Sequence, residues 1–258
     1  MTSLFARFGE MKQQGEKIAV LTAYDYPTAR LLDESGVDLL LVGDSLGMVV
    51  LGYPDTTLVT IEEILHHTRA VARAAKRAPI VADLPFGTYS TPEETVKNAR
   101  RLIEAGAHAV KLEGGVSHRA QIFALAAEGI PLMGHIGMLP QSVRLEGGYK
   151  IKGRTQDEAE HLLADAKVLD EAGAFAIVLE LVQKDTAHKI SRSIAAPTIG
   201  IGSGSECDGQ VLVSHDLIGL FPWFTPKFVS PKAAVAQAIR EAATDFIRDT
   251  KRSPEPLP

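Results

Sequence analysis

The chain has 258 residues, of which 27 are basic and 32 acidic, so its formal net charge is −5. This balance, without any run of lysine and arginine, argues against a nucleic-acid-binding surface. Cys207 is the only cysteine, which excludes an internal disulfide and favours a reducing compartment. No stretch approaches the ~18 apolar residues of a membrane-spanning helix, and the first residues lack the apolar core of a signal peptide. We therefore expect a cytoplasmic protein.

The chain alternates helix-ending signals with apolar runs. Helices are predicted to end in Glu, a small residue and Gly at residues 34–36, 104–106 and 171–173. Glycine ends a helix readily because it adopts the left-handed conformation without a Cβ clash. The apolar runs that follow are typical of strands buried on both faces of a parallel sheet. The predicted strands are residues 18–22, 39–43, 80–84, 109–112, 132–135, 175–179, 198–201 and 211–213.

Threonines at helix starts support the same alternation. Thr60, Thr91 and Thr155 each precede a glutamate by three residues, which is the spacing of a capping box. Eight βα units, and a length close to the about 250 residues of a (β/α)8 barrel, predict an α/β TIM barrel that forms a single domain over residues 1–258. The glycine fingerprint of a dinucleotide-binding fold is missing, which favours a closed barrel over an open sheet. A C-terminal helix over 231–252 and a frayed tail at 253–258 are expected.

Acidic residues lie at the ends of three successive predicted strands: Asp44, Asp83 and Glu113. Because the carboxyl ends of parallel strands meet at one end of a barrel, these side chains should lie close together. Taken singly, Asp44 could cap the following turn and Asp83 could pair with a basic residue. Together, three acids would repel one another unless a cation lay among them, and carboxylate oxygens suit Mg²⁺. The pattern therefore predicts a divalent-metal site.

Lys111 lies two residues before Glu113 on one strand, so both side chains should point into the barrel. Three roles are open to an inward lysine: an ion pair with Glu113 that fills the barrel, a clamp for a substrate carboxylate, or a Schiff-base amine whose pKa is lowered by burial. The neighbouring acids favour the ammonium form. We therefore favour the clamp.

Glu180 and His135 end two further strands. Glu180 follows an apolar run, a setting that disfavours its charge and suits a general base, with a salt bridge to a helix as the structural alternative. His135 lies between Gly134 and Gly137, and we interpret these glycines as room for a ligand. Its position among the other strand ends favours a role in the site over that of a hydrogen-bonded core histidine.

The candidate residues lie in motifs that run in one order from residues 22–25 to residues 225–228. The motifs are Val42-Gly43-Asp44-Ser45-Leu46-Gly47-Met48, Ala82-Asp83-Leu84-Pro85-Phe86, Val110-Lys111-Leu112-Glu113-Gly114-Gly115, Gly134-His135-Ile136-Gly137, Leu139-Pro140-Gln141-Ser142, Gly147-Gly148-Tyr149-Lys150 with Gly153-Arg154, Ile199-Gly200-Ile201-Gly202 and Asp208-Gly209-Gln210-Val211-Leu212-Val213. In these motifs the chain resembles the family of 3-methyl-2-oxobutanoate (ketopantoate) hydroxymethyltransferases. The one difference, Ser203 where the family often has Ala, touches none of the assigned roles.

The resemblance implies an Mg²⁺-dependent transferase of pantothenate biosynthesis. In that reaction 5,10-methylenetetrahydrofolate gives a one-carbon unit to 3-methyl-2-oxobutanoate, and the products are 2-dehydropantoate and tetrahydrofolate. The resemblance implies that Asp44 and Asp83 hold the metal next to the substrate, with Glu113 as a direct ligand or a ligand through water.

The resemblance also assigns the remaining site residues. Ser45 and Lys111 would bind the carboxylate of the 2-oxo acid, Glu180 would remove the proton from carbon 3, and His135 would contact the substrate or stabilise charge nearby. Apart from the resemblance, the glycine-rich segment 146–154 carries Lys150, Lys152 and Arg154, and our own hypothesis is that it closes over the site and meets the acidic tail of the folate. The family further implies a homo-oligomer of ten subunits, built as two pentamers.

Two other functions compete with this interpretation. The first is a metal-dependent 2-oxo-acid lyase or mutase of the phosphoenolpyruvate mutase and isocitrate lyase type, whose lyases carry a nucleophilic loop cysteine. Cys207 lies near the seventh predicted strand and not in such a motif. The second is a catalytically silent barrel that acts as a scaffold. Such a protein should have lost at least one of the four acids Asp44, Asp83, Glu113 and Glu180, and all four are present.

Overall fold

The computed structural model describes residues 3–252. They form two compact units, of which the first ends at Val211 and holds the barrel, and the second begins at Leu212. The second unit contains a short helix, Ser214–Leu217, and a long one, Val235–Arg252, which starts four residues later than predicted. The predicted frayed tail at 253–258 lies outside the described residues. A single domain over residues 1–258 stays a prediction.

Eight parallel strands close into a barrel in sequence order, which confirms the predicted (β/α)8 fold. The strands are β1 (Ile18–Thr22), β2 (Leu39–Val42), β3 (Ile80–Asp83), β4 (Ala109–Glu113), β5 (Leu132–Gly137), β6 (Ala176–Glu180), β7 (Thr198–Ile201) and β8 (Gly209–Leu212). Their bounds differ from the predicted bounds by at most two residues. Two of the differences matter for the site, because β4 includes Glu113 and β6 includes Glu180.

Helices connect the strands. They are α1 (Ser3–Gln14), α2 (Tyr26–Glu34), α3 (Leu46–Val49), α4 (Ile61–Ala74), α5 (Pro92–Glu104), α6 (Arg119–Ala127), α7 (Val143–Glu146), α8 (Gln156–Glu171), α9 (Lys184–Ser193), α10 (Ser214–Leu217) and α11 (Val235–Arg252). Single turns of 3₁₀ helix lie at Thr56–Leu58, Val116–His118 and Pro140–Ser142. Within residues 3–252, none of the helices combines the length and the apolar character needed to cross a membrane.

The three predicted helix caps are confirmed. The side chains of Thr60, Thr91 and Thr155 each accept a hydrogen bond from the backbone amide three residues further on. At Thr60 the side chain of Glu63 returns a bond to the cap backbone and completes the capping box. Because each cap satisfies an otherwise unpaired amide, each is worth about 1 kcal/mol.

The barrel interior is apolar at its amino-terminal end. Inward residues of the strands, such as Val81, Ala109 and Met133, form one cluster with Phe5 and Phe8 of α1. Phe5 stacks on Phe175 with a centroid separation of 4.0 Å, so α1 fills this end of the barrel. Polar inward residues are consequently confined to the carboxyl ends of the strands.

Candidate active site

The polar residues predicted at the strand ends point into the barrel. Side chains alternate along a strand, and these residues lie two or four positions beyond the apolar residues that fill the interior. The register sets Asp83 beside Lys111 on neighbouring strands and Glu113 beside His135. The inward polar residues are Asp83, Lys111, Glu113, His135 and Glu180.

Asp44 and Ser45 lie in the turn after β2. The backbone amide of Asp44 donates to Oδ2 of Asp83 at 2.9 Å, which ties this turn to the end of β3. Ser45 Oγ lies 2.8 Å from the hydroxyl of Tyr24. A Cβ at position 43 would lie 2.9 Å from Ser45 Oγ. Gly43 therefore allows Ser45 to turn back over the strand end.

Lys111 forms a buried ion pair with Asp83. Its Nζ lies 2.8 Å from Asp83 Oδ1, and both side chains are almost completely buried. Burial alone would lower the pKa of Lys111, but the charges of Asp83 and Asp44 outweigh it and raise the pKa. The amine is therefore held as ammonium, as the sequence indicated. Its partner is Asp83 and not Glu113, so the structural alternative for Asp83, pairing with a base, is present in the molecule.

His135 lies between two carboxylates. Its Nδ1 is 3.3 Å from Glu113 Oε1 and its Nε2 is 3.3 Å from Glu180 Oε2. Burial would lower the pKa of His135, but the interactions with Glu113 and Glu180 raise it to about 9. The ring is consequently a cation at neutral pH. The partner of Glu180 is thus a histidine of the same site and not a helix residue.

Each of the three acids predicted to hold the metal is bonded to a protein group. Asp44 Oδ2 accepts from Gln141 Nε2 and Glu113 Oε2 accepts from the Gln141 amide, while Asp83 pairs with Lys111. Among the described residues no group of three or more His, Cys, Asp or Glu side chains has the arrangement of a metal-ligand set. The set of Asp44, Asp83 and Glu113 therefore stays a prediction.

Asp44 shows the cost of bringing these acids together. Burial raises its pKa, and the neighbouring charge of Asp83 raises it further, so that the pKa lies well above the usual range for an aspartate. Asp44 is 4% exposed and Asp83 1% exposed. A cation placed between the two carboxylates would remove this penalty, because it favours the ionised form of both.

Gln141 is a site residue that our sequence analysis did not identify. It is buried in the turn Pro140–Ser142 and contacts both Asp44 and Glu113. Its motif, residues 139–142, was part of the resemblance, yet an uncharged amide outside a strand carries no signal of its own. The sequence offered one hint, which is a glutamine directly after a proline, shortly beyond a predicted strand end.

The glycines around His135 allow close packing within the protein, whereas the sequence analysis predicts that they leave room for a ligand. A Cβ on Gly134 would lie 2.5 Å from Leu169 of α8, and a Cβ on Gly137 would lie 2.3 Å from the carbonyl oxygen of Glu180. Gly137 also has a φ of 102°. The interpretation that they leave room for a ligand was wrong, because both contacts are with the protein itself.

Ser203 fastens the chain on both sides of Glu180. Its hydroxyl accepts from the amide of Val182 at 2.9 Å and donates to the carbonyl of Leu179 at 2.7 Å. Leu181, between them, has a φ of 47°, which is uncommon for a residue with a side chain. The serine thus stabilises a strained turn next to the candidate base, a role that the sequence analysis did not assign to it.

The glycine-rich segment lies beside the end of β6. The amide of Lys152 donates to the carbonyl of Leu181, and Lys152 Nζ pairs with Glu146 at 2.5 Å. Tyr149 is 49% exposed, and its hydroxyl lies 4.0 Å from Met48 Sδ; partial burial and the charge of Glu180 raise its pKa. This segment is therefore in place to cover one side of the barrel mouth.

Two cavities lie at the other end of the barrel. They have volumes of about 660 and 430 Å³ and share Phe5, Gly129, Ile130 and Pro131 in their linings. Neither cavity is lined by a residue of the candidate site. A large volume does not by itself indicate a catalytic site. We therefore place the site at the carboxyl ends of the strands, where the candidate residues lie.

Solved structures share the fold at low sequence identity. Phosphonopyruvate hydrolase, solved with oxalate and Mg²⁺, matches with a TM-score of 0.67 at 15% identity, over 99% of this chain and 91% of that chain. 2,3-Dimethylmalate lyase, of the PEP mutase/isocitrate lyase superfamily, matches with a TM-score of 0.60 at 17% identity, over 99% of this chain and 90% of that chain. At these identities the likeness extends to the barrel only.

Sequence comparison is more specific. A 3-methyl-2-oxobutanoate hydroxymethyltransferase of Syntrophus aciditrophicus is 52% identical over 95% of this chain and 91% of that protein. Proteins of the same name from Acetivibrio thermocellus and Ignicoccus hospitalis are 53% and 52% identical, over 95% and 93% of this chain and 88% and 91% of their own lengths. The family model described as ketopantoate hydroxymethyltransferase matches residues 3–256. The chain belongs to the ketopantoate hydroxymethyltransferase family.

Proposed function

We propose that this protein transfers a hydroxymethyl group from 5,10-methylenetetrahydrofolate to 3-methyl-2-oxobutanoate, giving 2-dehydropantoate and tetrahydrofolate. Its relatives are named for the acceptor and for the group transferred. The observation that carries the proposal is the placement of Glu180, next to the cationic His135 and at the same barrel end as the Lys111–Asp83 pair. A base and an anion-binding group thus face one space.

The residues divide the work of the reaction. Lys111 and Ser45 bind the carboxylate of the 2-oxo acid, which fixes the substrate at two points and turns carbon 3 towards Glu180. A carboxylate oxygen of Glu180 takes the proton from carbon 3, and the electron pair left behind forms the new carbon–carbon bond to the one-carbon unit. Both carbon–nitrogen bonds that held this unit to the folate break, and water supplies its hydroxyl oxygen. The proton taken by Glu180 and one proton of the water end on the two folate nitrogens, which gives tetrahydrofolate. His135 stays protonated and keeps a positive charge 3.3 Å from the Glu180 carboxylate.

The residues present fit a divalent cation. Asp44 and Asp83 offer hard oxygen ligands, and burial together with the charge of Asp83 raises the pKa of Asp44, a penalty that a bound cation would offset. We propose that Asp44 and Asp83 hold Mg²⁺, with Glu113 as a ligand directly or through water. When bound, the ion supplies a Lewis acid for the oxygen that gains charge as carbon 3 loses its proton.

Proton exchange tests the first half of the reaction without folate. The metal-stripped protein is incubated with 3-methyl-2-oxobutanoate in D₂O, and loss of the carbon 3 proton is followed by NMR. We expect exchange with Mg²⁺ and none with chelator. Full exchange in chelator would contradict the metal assignment, while no exchange under either condition, together with no 2-dehydropantoate from the complete mixture, would contradict the function.

We further propose that the segment 146–154 meets the acidic tail of the folate. Lys150 Nζ donates to the carbonyl of Glu146, and Lys152 is paired with the Glu146 side chain, whereas Arg154 bonds Glu158 through its backbone amide. Among the described residues of this segment, the Arg154 side chain is therefore the cation least engaged with the protein. Arg154→Ala and Lys150→Ala should raise the KM for the folate and leave the KM for the 2-oxo acid unchanged. An unchanged folate KM in both variants would reject this assignment.

We also propose that the protein is a homo-oligomer, with ten subunits by family resemblance. In the second unit, Ile239, Phe246 and Ile247 of α11 are exposed and recur at helical spacing on one face. A second copy of the chain is the occupant we assign to this face. Sedimentation velocity measures the assembly, and a monomer at micromolar concentration would contradict it.

A further inference from the structure

Gln141 contacts acids at the ends of two different strands, one through its buried side chain and one through its backbone amide. It is 4% exposed. Its backbone amide donates to Glu113 Oε2 at 3.1 Å. Its side-chain NH₂ donates to Asp44 Oδ2 at 2.8 Å and to the carbonyl oxygen of Leu84 at 3.0 Å. Both protons of the amide nitrogen are therefore used.

Tyr89 determines which way the amide faces. Its hydroxyl, 7% exposed as a residue, donates to Gln141 Oε1 at 2.5 Å. A glutamine amide turned by 180° would direct its oxygen at the carbonyl of Leu84 and at the carboxylate of Asp44, neither of which can donate. Its NH₂ would then meet the Tyr89 hydroxyl instead. Only the observed orientation satisfies all partners, so Tyr89 acts on Asp44 through Gln141.

We propose that Gln141 is a positioning residue whose side chain, oriented by Tyr89, sets the carboxylate of Asp44 for the divalent ion, while its backbone amide holds Glu113. This inference rests on the metal assignment of the proposed function. It goes beyond that assignment because it names the groups outside the ligand set that prepare the ligands. Partners of this kind, which bond a ligand and not the metal, typically change metal affinity by 10- to 100-fold when removed.

The test is a double-mutant cycle with Mg²⁺ as the probe. Gln141→Met keeps the length of the side chain and removes its donor, and Tyr89→Phe removes only the hydroxyl. Mg²⁺ binding to the apo protein is measured by calorimetry without substrate. We expect Gln141→Met to weaken binding about 10- to 100-fold and Tyr89→Phe to weaken it less. The double variant should bind like Gln141→Met alone, because Tyr89 acts through the amide that the methionine has removed.

Ser191→Ala is the matched control. In the wild type the hydroxyl of Ser191 is buried and bonds the Thr198 hydroxyl and the carbonyl of Ala187, away from the acids. It should lower stability and leave Mg²⁺ affinity unchanged.

A second readout does not depend on the metal. In a crystal structure of apo Gln141→Met we expect the Asp44 carboxylate to leave its place while the Lys111–Asp83 pair stays. An Asp44 that keeps its place, or variants that bind Mg²⁺ as the wild type does, would overturn the proposal. Exchange at carbon 3 by the wild type with Mg²⁺ would in that case still support the proposed function, so the two can fail separately.

Discussion

Nε2 of His135 lies 3.3 Å from Oε2 of Glu180, and both side chains face the barrel interior. The sequence analysis assigned the base to Glu180, and the neighbouring imidazole of His135 is the other group that could accept a proton here. The surroundings separate them: burial would lower the pKa of His135, but Glu113 and Glu180 raise it to about 9. A ring that is already protonated at neutral pH cannot accept the proton of the substrate, so the geometry favours Glu180.

Glu180→Gln should remove the base and keep the shape of the site. We expect the rate of carbon 3 exchange to fall by at least the ~10²-fold typical of general acid–base loss, with little change in the affinity for the 2-oxo acid. The measurement is NMR exchange in D₂O together with a substrate titration. Glu206→Gln, an exposed acid paired with His188, serves as the control and should exchange normally. Wild-type exchange by Glu180→Gln would move the base elsewhere.

The strand-end residues could be predicted because they obey simple periodicity. A buried parallel strand places alternate residues inside the barrel, and Lys111 and Glu113 follow that rule from a pattern visible in the sequence. The partner of Lys111 could not be predicted in the same way. Whether it pairs along its own strand or across to Asp83 depends on the register between strands, which only the folded barrel sets.

Gln141 and the glycines near His135 show two further limits. Gln141 reaches Asp44 across 97 residues of sequence, and its turn has no periodicity that would reveal the contact. A glycine in a strand indicates close approach, but not what approaches. For Gly134 the neighbour is Leu169 of α8, on the outward face of the strand and opposite to His135.

Asp33 is a structural acid that the sequence analysis missed, and its removal should destabilise the fold. Its Oδ1 accepts from the amides of Arg77 and Ala78, and its Oδ2 accepts from the amide of Lys76. Asp170 does the same for the amides of Ala195 and Ala196 before β7. Both aspartates stand three residues before a helix-ending glycine. That spacing was visible in the sequence.

Asp33→Asn keeps the size of the side chain and removes its charge. We expect a loss of about 1.5–3 kcal/mol in unfolding free energy near neutral pH, because hydrogen bonds from backbone amides to a charged acceptor are lost. Burial would raise the pKa of Asp33, but the bonds from the amides of Ala78, Lys76 and Arg77 outweigh it and lower the pKa. A lowered carboxyl pKa stabilises the fold above the unfolded value of about 4, and this contribution disappears as the pH falls through the folded value.

Urea denaturation at several pH values measures this effect. The difference between wild type and Asp33→Asn should be constant from about pH 5 upwards and should shrink below about pH 4. A difference that grows on acidification has the wrong sign and would show that Asp33 does not contribute as an anion. Asp38→Asn, which loses a single charged bond to the amide of Ala19, should show a smaller difference.

The last prediction concerns the chemistry of Lys111. A Schiff base needs a neutral amine, but the charges of Asp83 and Asp44 outweigh burial and raise the pKa of this lysine. An ammonium group 2.8 Å from Asp83 Oδ1 has no lone pair to attack a carbonyl. It can attract a carboxylate, which is the clamp that we propose.

Borohydride distinguishes the two roles in the wild-type protein, so the result does not depend on a variant that folds. With 3-methyl-2-oxobutanoate and borohydride, we expect no reduced adduct on the peptide that contains Lys111 and no irreversible loss of activity. Lys111→Ala should weaken binding of the 2-oxo acid by the ~1.5–3 kcal/mol of a hydrogen bond to a charged group, while Lys189→Ala, on the surface of α9, should not. An adduct trapped at Lys111 would show that the lysine loses its proton in the site, and a covalent aldolase mechanism would then replace the clamp.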